Sequence, residues 1–282
     1  MEYKHKPPFL KPCRRTRWRS GYFRCLSVLG IFVLSHTVNA EALVINLDVG
    51  SQPTQYEDAA GQPQGIYPEI LRRAFASMGI PAQIRSRPFR RLLAELDTGD
   101  AAVGAFIVTP ERKAANDFSA PYFIEHVAVF HLPQRPVYRN ISDLKGYRVG
   151  VIHGWSYGTA FDQAAKRGEF QTEAVARDWQ NFEKLLRGRL DYVVATELAG
   201  RAWQLANPGS TVTQGKNYLL SASMHLAFNK RAGQTGLLNR FDQAVQTLQQ
   251  QGEIERIVAR EVERSKTSIN DASSAFSAVA RR

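Results

Sequence analysis

Arg112 is the side chain whose setting most invites chemistry. It follows a short apolar run after Gly99-Asp100, and it stands three residues beyond Thr109 in Thr109-Pro110-Glu111-Arg112. Threonine is a good N-cap and proline fits a first helical turn, so a strand end, a tight loop and a helix start are expected to meet here. A cation in a first helical turn works against the helix dipole. It is better explained by a guanidinium fork that reaches out to an anion; a solvated surface arginine is the alternative. A second candidate is Gly154-Trp155-Ser156-Tyr157-Gly158. Its G-x-S-x-G spacing can raise a serine nucleophile on a strand-to-helix turn. Asp191 and His225 follow in a usable order, but no oxyanion-loop glycine motif precedes them, and His225 falls in an expected strand. His126, His131, His153 and His225 show no metal-ligand spacing, so no metal or other cofactor is expected.

Charge and cysteine usage narrow the class. The 282 residues carry a formal net charge of +11, which suggests nucleic acid at first glance. Eight of the 37 Lys/Arg and one of the 26 Asp/Glu lie in the first forty residues, however, so the remainder carries about +4. The basic start, the uncharged stretch from Cys25 to Leu34 and the small residues around Val38-Asn39-Ala40 read as a secretory signal, cleaved after Ala40. Its apolar stretch is short for a membrane span. Both cysteines, Cys13 and Cys25, leave with it. The mature chain then has no disulfide, thiol nucleophile or thiolate ligand. Its one local basic run, Arg85, Arg87, Arg90 and Arg91, reads as a solvated face, and no nucleic-acid partner is expected.

The elements that must position Arg112 follow an alternating pattern. Residues 42–47 are rich in branched apolar side chains and read as a strand ending at Asp48, followed by a polar Gly/Pro/Gln loop. Ile66, Ile70, Leu71, Ala74, Phe75 and Met78 share a helical face stopped by Gly79. A strand is expected over 82–87, and Phe89, Leu92, Leu93 and Leu96 mark the next helix. Such alternation implies an α/β fold with a parallel sheet and right-handed crossovers. Ligands of such sheets sit at the carboxyl ends of the strands. Asp48 and the loop before Arg112 both lie at such ends. The second half repeats the theme more weakly, with strands over 147–152 and 192–195 around a helix carrying Phe182, Leu185 and Leu186. A strand over 224–229 and helices over 237–250 and 253–262 follow. The Ser/Ala-rich residues 265–282 read as a disordered tail.

Thr109-x-x-Arg112 followed by Phe118-Ser-x-Pro-Tyr122 resembles the signature of the family 3 extracellular solute-binding proteins, the polar amino-acid receptors of ABC importers. Gly65 with Glu69, Asp143-Leu-x-Gly146-x-x-Val149-Gly-Val151-x-x-Gly154 and Leu185…Gly188-Arg-x-Asp191 extend the resemblance over residues 43–262. It implies a two-lobed periplasmic-binding-protein fold, each lobe a mostly parallel sheet flanked by helices, joined by two hinge strands. Lobe 1 would hold residues 43–130 and 224–262, lobe 2 residues 133–222, with the hinge near 127–132 and 221–227. A monomeric periplasmic receptor is implied, closing on a small carboxylate-bearing, amino-acid-like solute and delivering it to an ABC permease. A membrane sensor as the partner, a cyclohexadienyl-dehydratase-like lyase on the same fold, and a hydrolase using Ser156 remain open.

The resemblance also assigns residues. Arg112, behind its cap Thr109, would take the carboxylate. Asp48 matches a loop acid that contacts ligand, or caps its own loop. Ser156 matches a hydroxyl at a helix N-terminus that faces the carboxylate. Phe89 and Trp155 would be cleft aromatics, although Phe89 also fits a core face. Thr196 stands where the family usually has the Asp that binds the ligand ammonium, and Thr196 has no charge to offer. Glu197, one residue on, could substitute. Ala105 and Ile107 replace small polar residues. The cleft is therefore expected to be less polar than usual, and a carboxylate without the amine fits as well as an amino acid.

Overall fold

The computed structural model describes residues 42–48, 52–58 and 60–279, with side chains as far as Asp271. The leader expected over 1–40 lies outside the described residues. The first half is β1 (Leu43–Leu47), β2 (Tyr56–Glu57), β3 (Pro63–Gln64), α1 (Ile66–Ser77), β4 (Ala82–Ser86), α2 (Phe89–Thr98), β5 (Ala102–Phe106), α3 (Pro110–Ala115), β6 (Asn116–Phe118) and β7 (Phe123–His131). The second is β8 (Arg148–Ile152), α4 (Thr159–Lys166), β9 (Gln171–Val175), α5 (Asp178–Leu186), β10 (Tyr192–Thr196), α6 (Glu197–Ala206), β11 (Thr213–Asn229), α7 (Thr235–Gln250) and α8 (Glu253–Val279).

One curled sheet runs β4-β1-β5-β11-β7-β10-β8-β9, with β6 also on β11. Its two ends are built alike. β4, β1 and β5 are parallel and abut β11 antiparallel; β9, β8 and β10 are parallel and abut β7 antiparallel. The weak internal echo in the sequence is this duplicated arrangement. Each set of parallel strands needs crossover helices, and the apolar faces of those helices fill the cores. In lobe 1, Ile66, Ile70, Leu71, Ala74 and Phe75 of α1 pack with Ile45 and Leu47. In lobe 2, Phe182 of α5 stacks on Trp203 of α6 at 4.8 Å between ring centroids.

β7 and β11 are the two strands that cross between lobes. Residues 123–126 pair only with 221–224, because β10 joins β7 from Val127 onward and β5 and β6 join β11 from His225 onward. The crossing thus lies four residues earlier on β7 than the run 127–132 expected from sequence. Residues 127–130, expected in lobe 1, belong to lobe 2: Val127 and Val129 enter one of its cores, Ala128 and Phe130 the other. A strand buried on both faces carries no alternation to mark where it changes lobe.

The expectation of a disordered tail from Ser265 is also corrected, since α8 continues to Val279. Ile254 and Ile257 sit in the lobe 1 core, while Val262 and Ile269 sit in the lobe 2 core. That apolar stripe runs on at helical spacing past residue 262, and the Ala-rich composition is compatible with helix. α8 packs closely on α6, and a glycine lets α6 approach the sheet: a Cβ at Gly200 would lie 2.0 Å from the Phe130 ring.

Candidate ligand-binding site

The strand register brings the carboxyl ends of both lobes' parallel strands to the crossing segment. Phe106, the last residue of β5, lies opposite His225; Thr196, the last of β10, lies opposite Val127. Asp48 follows β1, Ser156 follows β8, Thr196 ends β10, and Arg112 stands in α3, the helix after β5.

On the lobe 1 side, Thr109 caps α3 as expected. Its Oγ1 accepts the Arg112 backbone N–H at 3.3 Å, with Pro110 in the first turn. That cap fixes where the Arg112 side chain starts. Its guanidinium donates to the Ile107 carbonyl at 2.9 Å and lies 4.0 Å above the centroid of the Phe106 ring and 5.7 Å from that of Phe89. Phe106 is in turn stacked on Phe118 at 5.9 Å, so the ring under the cation is itself held. Desolvation lowers the Arg112 pKa somewhat, against the pull of Glu111, and leaves the guanidinium charged at neutral pH. Around it, Phe89 is 41% exposed, Ile107 41% and Val108 37%. The alternative reading of Phe89 as a core residue is corrected here: it opens α2, and Leu92 and Leu96 make the buried face instead. Asp48 follows β1 at the same edge, half-buried and with an interaction of its own.

On the lobe 2 side Ser156, Thr196 and Glu197 already have protein partners. Ser156 Oγ donates to the Asp162 carboxylate, and the Tyr157 N–H donates to the same group at 3.1 Å. Asp162 lies in the first turn of α4, so an internal anion sits where the helix dipole favours one. Trp155 is half-buried, its ring 6.3 Å from that of Tyr157. Thr196 is 1% exposed and caps α6, with Oγ1 accepting the Ala199 N–H at 3.1 Å. Glu197 accepts from the Tyr218 hydroxyl at 2.8 Å, and that bond holds the Tyr218 pKa above its ordinary value. The Tyr218 ring stacks on His126 at 4.2 Å, and His126 Nδ1 lies 2.8 Å from Ser221 Oγ. Glu125 stands on the crossing segment itself. Burial pushes its carboxyl up to about 7, partly opposed by the Tyr67 and Thr54 side chains.

The hydrolase alternative fails on geometry. Ser156 is bonded to Asp162, His225 Nδ1 lies 2.8 Å from the Ser119 carbonyl oxygen in lobe 1, and Asp191 takes Arg135 and Arg148. No triad forms. Three contributors were not singled out from sequence. Asp162 could have been found as an acid in a first helical turn just after Ser156. Phe106 and Tyr218 act through partners on other elements, which spacing alone does not reveal. Among the described residues, no group of three His, Cys, Asp or Glu is placed to hold a metal ion, and no helix is long and apolar enough to cross a membrane.

Two α/β lobes joined by two crossing strands give the architecture of a two-lobed binding protein. The chain belongs to the bacterial extracellular solute-binding proteins, family 3, whose model matches residues 43–262. It is 23% identical over 218 residues to the L-cystine-binding protein TcyJ of Escherichia coli (strain K12), covering 76% of this chain and 80% of that protein. It is similar in structure to an ancestral arginine-binding protein bound to arginine, with a TM-score of 0.61, 23% identity and coverage of 78% and 97%. It is also similar to a histidine kinase sensor domain described as resembling periplasmic binding proteins, with a TM-score of 0.61, 21% identity and coverage of 79% and 96%.

Proposed function

We propose that this solute-binding protein works in the periplasm, where it captures a small carboxylate-bearing, amino-acid-like solute and closes on it by hinge motion at the crossing strands. It then delivers the solute to an ABC permease and transforms nothing. The observation that carries this reading is Arg112: a charged guanidinium, anchored by Ile107 and Phe106, at the convergence of the strand ends. A bidentate carboxylate suits its fork. The names of the relatives, which include cystine-binding and arginine-binding proteins, support an amino-acid-like ligand. Asp48 and Trp155, from the loops after β1 and β8, would complete the enclosure. The likeness to a histidine kinase sensor domain favours a second reading, a receptor that reports to a membrane sensor.

The test is a thermal-shift screen of the secreted protein against amino acids, their derivatives and organic acids. A ligand at about a hundred times its Kd should stabilise the fold by roughly 2.7 kcal/mol, raising Tm by several degrees. The shift should vanish in Arg112→Ala, and the ligand should be recovered unchanged. Recovery of a product would move the protein to the lyase reading. A hit that survives Arg112→Ala would remove Arg112 from the site.

A further inference from the structure

We propose that the second half of α8 is a strap across the hinge, which holds the two lobes at one separation and must release lobe 2 before that separation changes. The inference rests on the receptor reading for what hinge motion accomplishes, and on the geometry of α8 for the rest. A helix of 27 residues is roughly 40 Å long and, unlike an extended strand, cannot flex at one residue without breaking its backbone bonds. Its first turns are fixed to lobe 1. Ile254 and Ile257 enter that core, Glu253 pairs with Arg73 at 3.0 Å, and Arg260 approaches Glu69 at 3.8 Å, both partners standing on α1. Val258 packs against the cores of both lobes. Val262 and Ile269 then lie in the core of lobe 2. α8 is thus a connection between the lobes in addition to β7 and β11.

The polar ties of this second half run the other way. Gln52 Nε2 donates to Ser268 Oγ at 3.3 Å, and the Tyr56 hydroxyl donates to Glu261 Oε2 at 3.5 Å. Gln52 and Tyr56 belong to lobe 1, because the segment they stand in is bound to α1: the Pro53 and Thr54 carbonyls accept the Ile66 and Tyr67 N–H groups at 3.0 and 2.9 Å. An apolar face held by lobe 2 and polar bonds held by lobe 1 therefore meet on residues 261–269. Rotation of one lobe against the other cannot keep both. The rest of the helix is anchored in lobe 1, so the face on lobe 2 is the one that yields. Release there is made easier by Ser265, which is fully buried at helical spacing from Val262 and Ile269, with no partner for its Oγ among the described residues. A hydroxyl buried without a bond costs stability that water returns on release.

The experiment measures the distance between the lobes of the secreted protein with no solute present. Residues 26–282 contain no cysteine. Spin labels at Gln246→Cys on α7 and Lys166→Cys on α4, both exposed positions, therefore report that distance alone by pulsed electron paramagnetic resonance. The labelled parent should give one narrow distribution. Ile269→Ala, and separately a chain ending at Glu263, should each raise the share of a second separation by on the order of tenfold. Gln52→Ala combined with Tyr56→Phe cuts only the bonds to lobe 1 and should produce a smaller change of the same kind. Circular dichroism checks that each variant is folded; where the shortened chain is not, Ile269→Ala decides. A parent distribution that is already broad, or one that stays the same in Ile269→Ala, overturns the strap. The readout needs no solute, so the receptor reading stands or falls separately, on the carboxylate screen and Arg112→Ala.

Discussion

The two edges of the cleft solve opposite problems. Lobe 1 presents a cation whose guanidinium, among the described residues, donates to the Ile107 carbonyl, lies near two aromatic rings and feels the pull of Glu111. Lobe 2 presents the N-terminus of α6, capped by Thr196, and that of α4, where Asp162 takes the Tyr157 N–H ahead of the helix and no side chain caps the helix itself. The first edge gains when an anion arrives; at α6 a ligand would gain little, because it would displace an existing partner. An isolated charge in an apolar setting is where a hydrogen-bonded counterion is worth most, whereas an exchange of one bond for another is nearly neutral. If Arg112 meets the ligand, this contrast predicts a binding energy weighted toward lobe 1.

The largest expected effect follows directly. Arg112→Ala should weaken carboxylate binding about a hundredfold, the range of a lost charge-assisted bond pair, and should leave the unfolding midpoint almost unchanged. Arg112→Lys should recover only part of the affinity, since a point charge lacks the fork. Titration calorimetry with denaturation of each variant checks both. If Arg112→Ala cost stability rather than affinity, the guanidinium would be a packing element on Phe106, and the asymmetry between the lobes would collapse.

Glu125 sharpens the comparison from between the edges. Its Oε1 is buried without a hydrogen-bond partner among the described residues, and its folded carboxyl titrates at about 7 against an ordinary value of 4.5. The folded protein then holds a proton that the unfolded chain has lost. Stability from this group is present below about pH 4.5 and is lost as pH rises through 7, the loss amounting to about 3 kcal/mol. Glu125→Gln should therefore be more stable than the parent at pH 8 by about that amount and equal to it at pH 4.5. Denaturant midpoints at the two pH values are the measurement. Identical pH slopes for both proteins would mean that water reaches the carboxylate.

Asp162→Ala probes the lobe 2 edge. It removes the acceptor for Ser156 and Tyr157 and the anion at the α4 N-terminus, and should cost roughly 1 kcal/mol of stability. Affinity should change by less than about threefold, or rise slightly, since a ligand carboxylate could then use the vacated donors. A large affinity loss would show that lobe 2 binds through Asp162, reversing the assignment of roles.

What was legible in the sequence tracks how local the cause is. The β1, α1, β4, α2 and β5 run could be read because each element carries its own period and its own stop, such as Gly79 or Gly99. Thr109 and Arg112 could be read because a cap and its helix are neighbours in the chain. The α6 cap was only half legible: Thr196 stood out as an uncharged residue in an unusual place, but its capping role and near-complete burial depend on α6 lying against the sheet. The lobe boundary on β7 and the course of α8 past residue 262 were not legible. Both depend on which core an apolar residue enters, and Val127 or Ile269 reads the same for either.

Thr196 gives the smallest effect and the most discriminating one. Thr196→Ala deletes the cap on Ala199 and should lower stability by about 1 kcal/mol. Thr196→Ser keeps the hydroxyl and should restore most of it, because serine caps at least as well. Neither should alter carboxylate affinity by more than about threefold, because the side chain is buried and caps α6. Thr196→Asp adds a charge and still offers an oxygen for the Ala199 amide. If the end of β10 meets an amine of the solute, that substitution should raise the preference for phenylalanine over 3-phenylpropanoate without weakening the latter more than about threefold. An unchanged ratio would mean that the end of β10 stays out of the choice. Paired titrations of the three variants decide whether lobe 2 contributes to it.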